Sequence, residues 1–178
     1  KLRAADWIGV RDHRTLTHLS AAGIGATLMP DSVVLTAELF GERIRARGEG
    51  GEVAAVRAAL TQGYLAVQFA GALGDDATLA RIADGLARAA AGRGIVFFRV
   101  GAAPWHDDLG VYRRAAARLP GARLFESLDI WDICTLSAAS SGFAGSSLHG
   151  HIVAEAFGVP VIEGVVPVGP KVAAWRET

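Results

Sequence analysis

A single cysteine, Cys134, stands among 178 residues. No intrachain disulfide can form, and a zinc site built on several thiolates is excluded. Charge of either sign is also missing in net terms. Eighteen Lys and Arg balance eighteen Asp and Glu, so no global field recruits nucleic acid or an anionic membrane surface. No apolar run approaches the roughly 20 residues of a membrane helix, and no secretory leader is visible. There is no Walker motif, no complete Gly-x-Gly-x-x-Gly and no repeat of 20–50 residues. The chain opens on Lys1 and enters an apolar strand almost at once, which reads as a piece of a longer protein.

What is present is apolar. Hydrophobic residues make up 51% of the chain and the mean hydropathy is +0.31, enough for a globular core at this size. Apolar runs alternate with amphipathic stretches at the spacing of βαβ units. Strands are expected at Trp7–Val10, Ala26–Met29, Tyr64–Phe69, Ile95–Val100, Ala122–Phe125 and Val159–Ile162. Helices are expected at His13–Ala22, Glu52–Gln62, Ala77–Ala91, His106–Leu119 and Asp129–Ser137, the last with Asp129 as N-cap. Residues 41–51, charged and glycine-rich, read as a surface loop. The pattern predicts one α/β domain over residues 1–178, a Rossmann-like three-layer sandwich with a mostly parallel sheet.

The chemistry-bearing candidates cluster at predicted strand ends. Ser141–His151 (Ser-Gly-Phe-Ala-Gly-Ser-Ser-Leu-His-Gly-His) reads as a strand, a turn of small residues and a helix start. Gly145, Ser146, Ser147 and the imidazole of His149 thereby fall at the carboxyl end of a strand, where open α/β sheets bind ligands. An anion there meets the helix dipole and unbonded amides. His149 can give or take a proton near neutral pH, or it can serve only to cap the turn. His149 and His151, two positions apart, point about 200° from one another and cannot chelate together. Arg11 follows the first apolar strand, where its guanidinium can grip a carboxylate or phosphate with two prongs; a bond to Asp12 or a neighbouring helix is the competing reading. Gly71 and Gly74 precede a helix and permit close backbone approach to a phosphate. Asp75 and Asp76 read as helix-capping carboxylates. So do Asp107 and Asp108, which follow Trp105 and His106 and, being adjacent, do not share a helix face for a metal.

Three segments together resemble the polysaccharide pyruvyl transferase family. Ile8-Gly9-Val10-Arg11-Asp12, with Thr15, Leu19 and Gly23-Ile24, is similar to the family's V-R-D segment at the start of its second lobe. Leu28-Met29-Pro30-Asp31-Ser32 is similar to its P-D strand end. Gly145 through Ala154 and on to Gly158-Val159-Pro160 resembles its signature around Leu-His. Their order and separation match. The resemblance implies the carboxyl-terminal lobe of a two-lobed, glycosyltransferase-B-like enzyme whose amino-terminal lobe is missing here. It implies transfer of a pyruvyl group from phosphoenolpyruvate to a sugar of a bacterial exopolysaccharide or cell-wall polymer, forming a ketal. Phosphoenolpyruvate is then a substrate, with no cofactor and no metal, and the acceptor is a glycan or lipid-linked oligosaccharide. The same resemblance places Arg11 and His149 at the functional arginine and histidine; Gly71, Gly145, Ser146 and Ser147 are expected to contact the substrate from their turns at strand ends. The resemblance also places Lys171 where the family often has a basic residue after its last strand. Many members carry an arginine where this chain has Ser147, a feature shared with Ser-Leu-His-Gly exopolysaccharide variants. A cytoplasmic location, peripheral at the inner face of the membrane, fits that role. A nucleotide-sugar-binding lobe of a glycosyltransferase and a non-catalytic anion- or glycan-binding domain are the alternatives, since one fold serves many chemistries.

Overall fold

The apolar runs at 64–69 and 95–98 become the centre of a sheet in the computed structural model, which describes residues 1–101 and 107–177. In chain order the elements are β1 (Gly9–Val10), α1 (His13–Ala21), β2 (Thr27–Leu28), α2 (Thr36–Arg47), α3 (Gly51–Ala59), β3 (Tyr64–Gln68) and α4 (Asp76–Ala90). They continue as β4 (Gly94–Phe97), α5 (Leu109–Ala116), β5 (Arg123–Leu124), α6 (Ile130–Ala138), β6 (Gly142–Gly145), α7 (Leu148–Ala156) and α8 (Pro170–Arg176). Short polar side chains start several helices by accepting from first-turn amides: Asp12 on α1, Asp75 on α4, Asp108 on α5, Asp129 on α6 and Ser147 on α7.

Four strands form one parallel sheet in the order β5-β4-β3-β6. Helices cover both of its faces, as buried apolar strands require. On one face, Leu65, Val67 and Phe97 pack with Leu79, Ile82 and Leu86 of α4 and Tyr112 of α5. On the other, Ala66, Val96 and Phe143 pack with Val53 of α3, Leu136 of α6 and Ala154 of α7. From β3 the chain steps outward through β4 to β5, and α6 then carries it back to β6 on the opposite side of β3. This reversal puts the topological switch point at the carboxyl ends of β3 and β6, the place at which such sheets bind ligands.

The structure departs from the sequence expectation in four places. β1 and β2 pair in parallel as a separate two-stranded ribbon rather than joining the main sheet. Residues 41–47 are helical, not a surface loop, and only a short turn separates α2 from α3. Their glycines and charges argue for a loop, but packing overrides propensity. Ile44 is fully buried, and the Thr135 hydroxyl of α6 donates to its carbonyl at 2.8 Å. Val159–Ile162 supplies a single bridge, Val161 beside Phe143, rather than a full strand. The helix expected from His106 begins at Leu109, and Trp105 and His106 lie outside the described residues.

Candidate functional site

The turn between β6 and α7 is held rigidly from below. The Ser146 amide donates to the Gln68 carbonyl at 3.0 Å, and the Ser147 amide to Gln68 Oε1 at 3.1 Å. Ser146 Oγ accepts from the Ala70 amide at 2.9 Å, and Ser147 Oγ from the Gly150 amide at 3.3 Å. Gln68 is fully buried at the end of β3, and its Nε2 donates to Asp107 Oδ1 at 3.1 Å. Asp107, only 3% exposed, also takes the Val100 amide at 3.1 Å. The Tyr112 hydroxyl lies 3.3 Å from Asp107 Oδ1 and 2.8 Å from the Phe69 carbonyl. Burial above all, and then the Asp107 charge, push the Tyr112 phenol far above its ordinary pKa, so it stays a donor. Asp107 is therefore a brace for the sheet end and not a helix cap. Asp108 alone fills that expected role.

Two glycines make the turn possible. A Cβ on Gly145 or on Gly150 would come within 2.5 Å of Phe143 Cζ. The backbone of α7 thus sits directly on the Phe143 ring, and the helix start cannot shift without clashing.

Above this platform three residues from distant parts of the chain meet. The Arg11 guanidinium donates from one terminal nitrogen (Nη1) to Asp31 Oδ2 at 2.7 Å. The same nitrogen lies 3.4 Å from His149 Nε2, a contact spanning 138 positions of sequence. His149 Nε2 lies 3.6 Å from Asp31 Oδ2. Asp31 is 8% exposed, whereas His149 is 59% exposed. Burial pushes the Asp31 carboxyl upward, but the Val33 amide, the Arg11 bond and the nearby His149 outweigh it. Its pKa therefore lies below the ordinary value. The bond to Arg11 replaces the competing pairing with Asp12, which caps α1 through the Thr15 amide at 2.7 Å.

The contacts define two states of His149. Arg11 can donate to Nε2 only when that nitrogen carries a lone pair, so this contact belongs to the neutral ring. A proton on Nε2 turns the atom into a donor, for which Asp31 Oδ2 is the acceptor at hand. The remaining nitrogens of Arg11 make no hydrogen bond among the described residues, and the first amides of α7, those of Leu148 and His149, have no acceptor within the helix. Guanidinium and amides together offer an anion a seat beside a proton-carrying ring.

The other expected residues take different places. Gly71 begins a short 3-10 turn, beside Ala70 and hence beside the Ser146 clamp. The Gly145 carbonyl is taken by His151 Nε2 at 2.8 Å. The polar groups of Ser146 and Ser147 are engaged within the protein as described above. Lys171 is exposed in the first turn of α8 and has no ion pair among the described residues, one position before Val172, which packs in a cluster with Leu148. Among the described residues no group of three or more His, Cys, Asp or Glu is arranged to hold a metal. Sequence reasoning gave no role to Gln68, whose signal was a lone amide in an apolar strand. It noted Asp31 only as a strand end, although Asp31 joins Arg11 to His149.

Comparison with known proteins bears on this arrangement. No curated protein matches the chain. Among solved structures, the crystal structure of UDP-GlcNAc 2-epimerase from Neisseria meningitidis, bound to UDP-GlcNAc, superposes with a TM-score of 0.55 at 12% identity. The match covers 88% of this chain and 43% of that one, so the chain spans less than half the length of the epimerase. At that identity the likeness establishes the Rossmann-like fold and nothing about the ligand. The sequence model described as polysaccharide pyruvyl transferase matches residues 1–166, nearly the whole length. By that match, the chain that brings Arg11, Asp31 and His149 together belongs to the polysaccharide pyruvyl transferase family.

Proposed function

We propose that this chain is the carboxyl-terminal lobe of a two-lobed enzyme that transfers a pyruvyl group from phosphoenolpyruvate to a sugar of a polysaccharide precursor, forming a ketal. The observation that carries the reading is the meeting of Arg11, Asp31 and His149 above the switch point of the sheet. Arg11, anchored by Asp31, turns its remaining N–H groups to the donor's carboxylate or phosphate. Asp31 also accepts from the protonated His149 ring, so a single carboxylate orients both cations.

The chemistry follows from the donor's structure. His149 delivers its proton to the methylene carbon of phosphoenolpyruvate, which leaves an oxocarbenium-like centre at C2. One sugar hydroxyl adds to that carbon and surrenders its proton to the now neutral ring. A second hydroxyl then adds as the C–O bond to phosphate breaks and passes its proton to the departing phosphate, giving the ketal and inorganic phosphate. General acid–base catalysis of this kind contributes about 10²–10⁴-fold. Holding donor and acceptor in one cleft contributes further. The platform under Ser146 and Ser147 serves that positioning, since it leaves the helix start no freedom to drift.

The test uses the complete two-lobed protein with phosphoenolpyruvate and a glycan bearing two suitably spaced hydroxyls. Phosphate release in step with ketal formation is expected, with none from the 178-residue chain alone. Transfer from a UDP- or GDP-sugar with indifference to phosphoenolpyruvate would overturn the donor assignment.

A further inference from the structure

The ribbon that carries Arg11 is barely attached to the rest of the molecule. β1, α1 and β2 pack on one another, and no helix or strand of the main body packs broadly against them. Of residues 1–30 only Val10 is buried, whereas every residue of β3 is. α1 buries nothing fully, its Leu16 and Leu19 being only half-covered. Firm attachment begins at Val33, which packs with Leu148 and Ile152 of α7.

Such a unit is incomplete by the physics of parallel sheets. Alternation along the strands puts Ile8, Val10 and Leu28 on one face and Trp7, Gly9, Thr27 and Met29 on the other. The first face is buried or half-buried, and every residue of the second is exposed, Trp7 by 60% and Met29 by 40%. The Trp7 ring and the Met29 sulfur lie over Gly9, where a Cβ would come within 2.6 and 2.9 Å of them. Parallel strands are otherwise found with both faces covered, and two strands by themselves are marginal in water.

The edges are open as well. The Thr27 amide donates to the Ile8 carbonyl at 2.9 Å, and the Met29 amide to the Val10 carbonyl at 2.7 Å. Parallel pairing uses alternate residues, so Gly9 and Leu28 turn their amides and carbonyls outward from the ribbon. The two edges differ. Leu28 lines a hollow with Glu155 of α7 and Trp175 of α8, so helices of the main body flank the β2 side. Gly9 is exposed, and its edge pairs with no strand among the described residues.

We infer that β1, α1 and β2 are the last βαβ unit of a second parallel sheet, completed in the whole protein by a strand of the amino-terminal lobe along the Gly9 edge. An open strand edge is satisfied by the backbone of another strand. Parallel addition matches the β1–β2 pairing already present, since sheets of one sense are favoured. The epimerase that shares this fold has more than half of its length beyond the match, room for the sheet required. That the strand comes from the amino-terminal lobe rests on the two-lobed reading; that the Gly9 edge takes a strand does not. The boundary between lobes then falls at the turn Ser32–Leu35 and not before Ile8. Arg11 and Asp31 stand on one lobe and His149 on the other, and the 3.4 Å contact of Arg11 with His149 bridges them.

The experiment is amide-resolved hydrogen exchange on the complete protein, comparing Gly9, Leu28 and the amides of β3 after correction for intrinsic rates. In a free ribbon the outward amides of Gly9 and Leu28 would exchange alike. Pairing along β1 is expected to slow Gly9 by about 100-fold or more relative to Leu28, into the range of β3, and dilution by about tenfold should not change this. Gly9 and Leu28 within about tenfold of each other, or Leu28 the slower, would overturn the inference. Protection lost on dilution would assign the edge to a second copy and overturn it too. A complete protein without a preceding α/β lobe would overturn the two-lobed reading along with it. A lobe present beside an unprotected Gly9 overturns this inference alone.

Discussion

His149 and His151 sit two positions apart in the same helical turn and face opposite environments. His149 is 59% exposed and shares its ring nitrogen between Arg11 and Asp31, groups brought in by the β1–β2 ribbon and the turn after it. His151 is 1% exposed, bonded to the Gly145 carbonyl and pressed against Phe143. Side chains at i and i+2 diverge by about 200°, so one short helix start presents an exposed imidazole to Arg11 and Asp31 and a buried ring to the interior. Under the proposed function the difference separates proton chemistry from positioning: a ring that is to exchange a proton needs solvent or substrate beside it, and a ring that is to hold a turn needs neither.

Breaking the buried side should have the largest effect on folding. Asp107→Ala strips partners from Gln68 Nε2, the Val100 amide and the Tyr112 hydroxyl at once. Unfolding in urea should show a loss of about 3 kcal/mol, the scale of leaving such buried groups unsatisfied. A loss no larger than that of an exposed carboxylate would remove the platform from the account.

A smaller effect sharpens the contrast between the two rings. The folded-state pKa of His151 is depressed, so acidification charges the unfolded ring before the folded one. The stability this contributes is complete above the unfolded value near 6.5 and falls as pH drops toward the depressed folded value. The slope for a single proton is at most about 1.4 kcal/mol per pH unit. Urea midpoints between pH 7.5 and 5 should fall for the wild type and fall less for His151→Gln. Equal slopes would show that the ring is already charged in the fold.

Much of this was legible in the residues, because local patterns dominate where strands are wholly apolar and caps are short polar side chains. Tyr64–Phe69, Ile95–Val100 and the caps at Asp75 and Asp129 depend on near neighbours alone. α2 was not legible. Gly41 and Gly48 weaken its helical signal, and it forms because Ile44 is buried and bonded through α6, a partner about 90 residues away. The detachment of β1 and β2 from the main sheet is likewise a matter of three-dimensional packing that short strands do not encode. Arg11 and His149 could be singled out through their motifs, but no spacing reveals that Asp31 bonds Arg11 and lies 3.6 Å from His149 Nε2. The serines show the reverse case. Their position at a strand end suggested ligand contact, and the structure engages their amides and hydroxyls with Gln68, Ala70 and Gly150.

The most direct test of the exposed side is phosphoenolpyruvate-dependent phosphate release by the complete protein carrying Arg11→Ala or His149→Ala. Arg11 is part-exposed and His149 exposed, so folding should persist while kcat/KM falls by about 10²-fold or more. Rates within about twofold of wild type, less than 0.5 kcal/mol of transition-state stabilisation, would contradict the assignment of the chemistry to this face of α7.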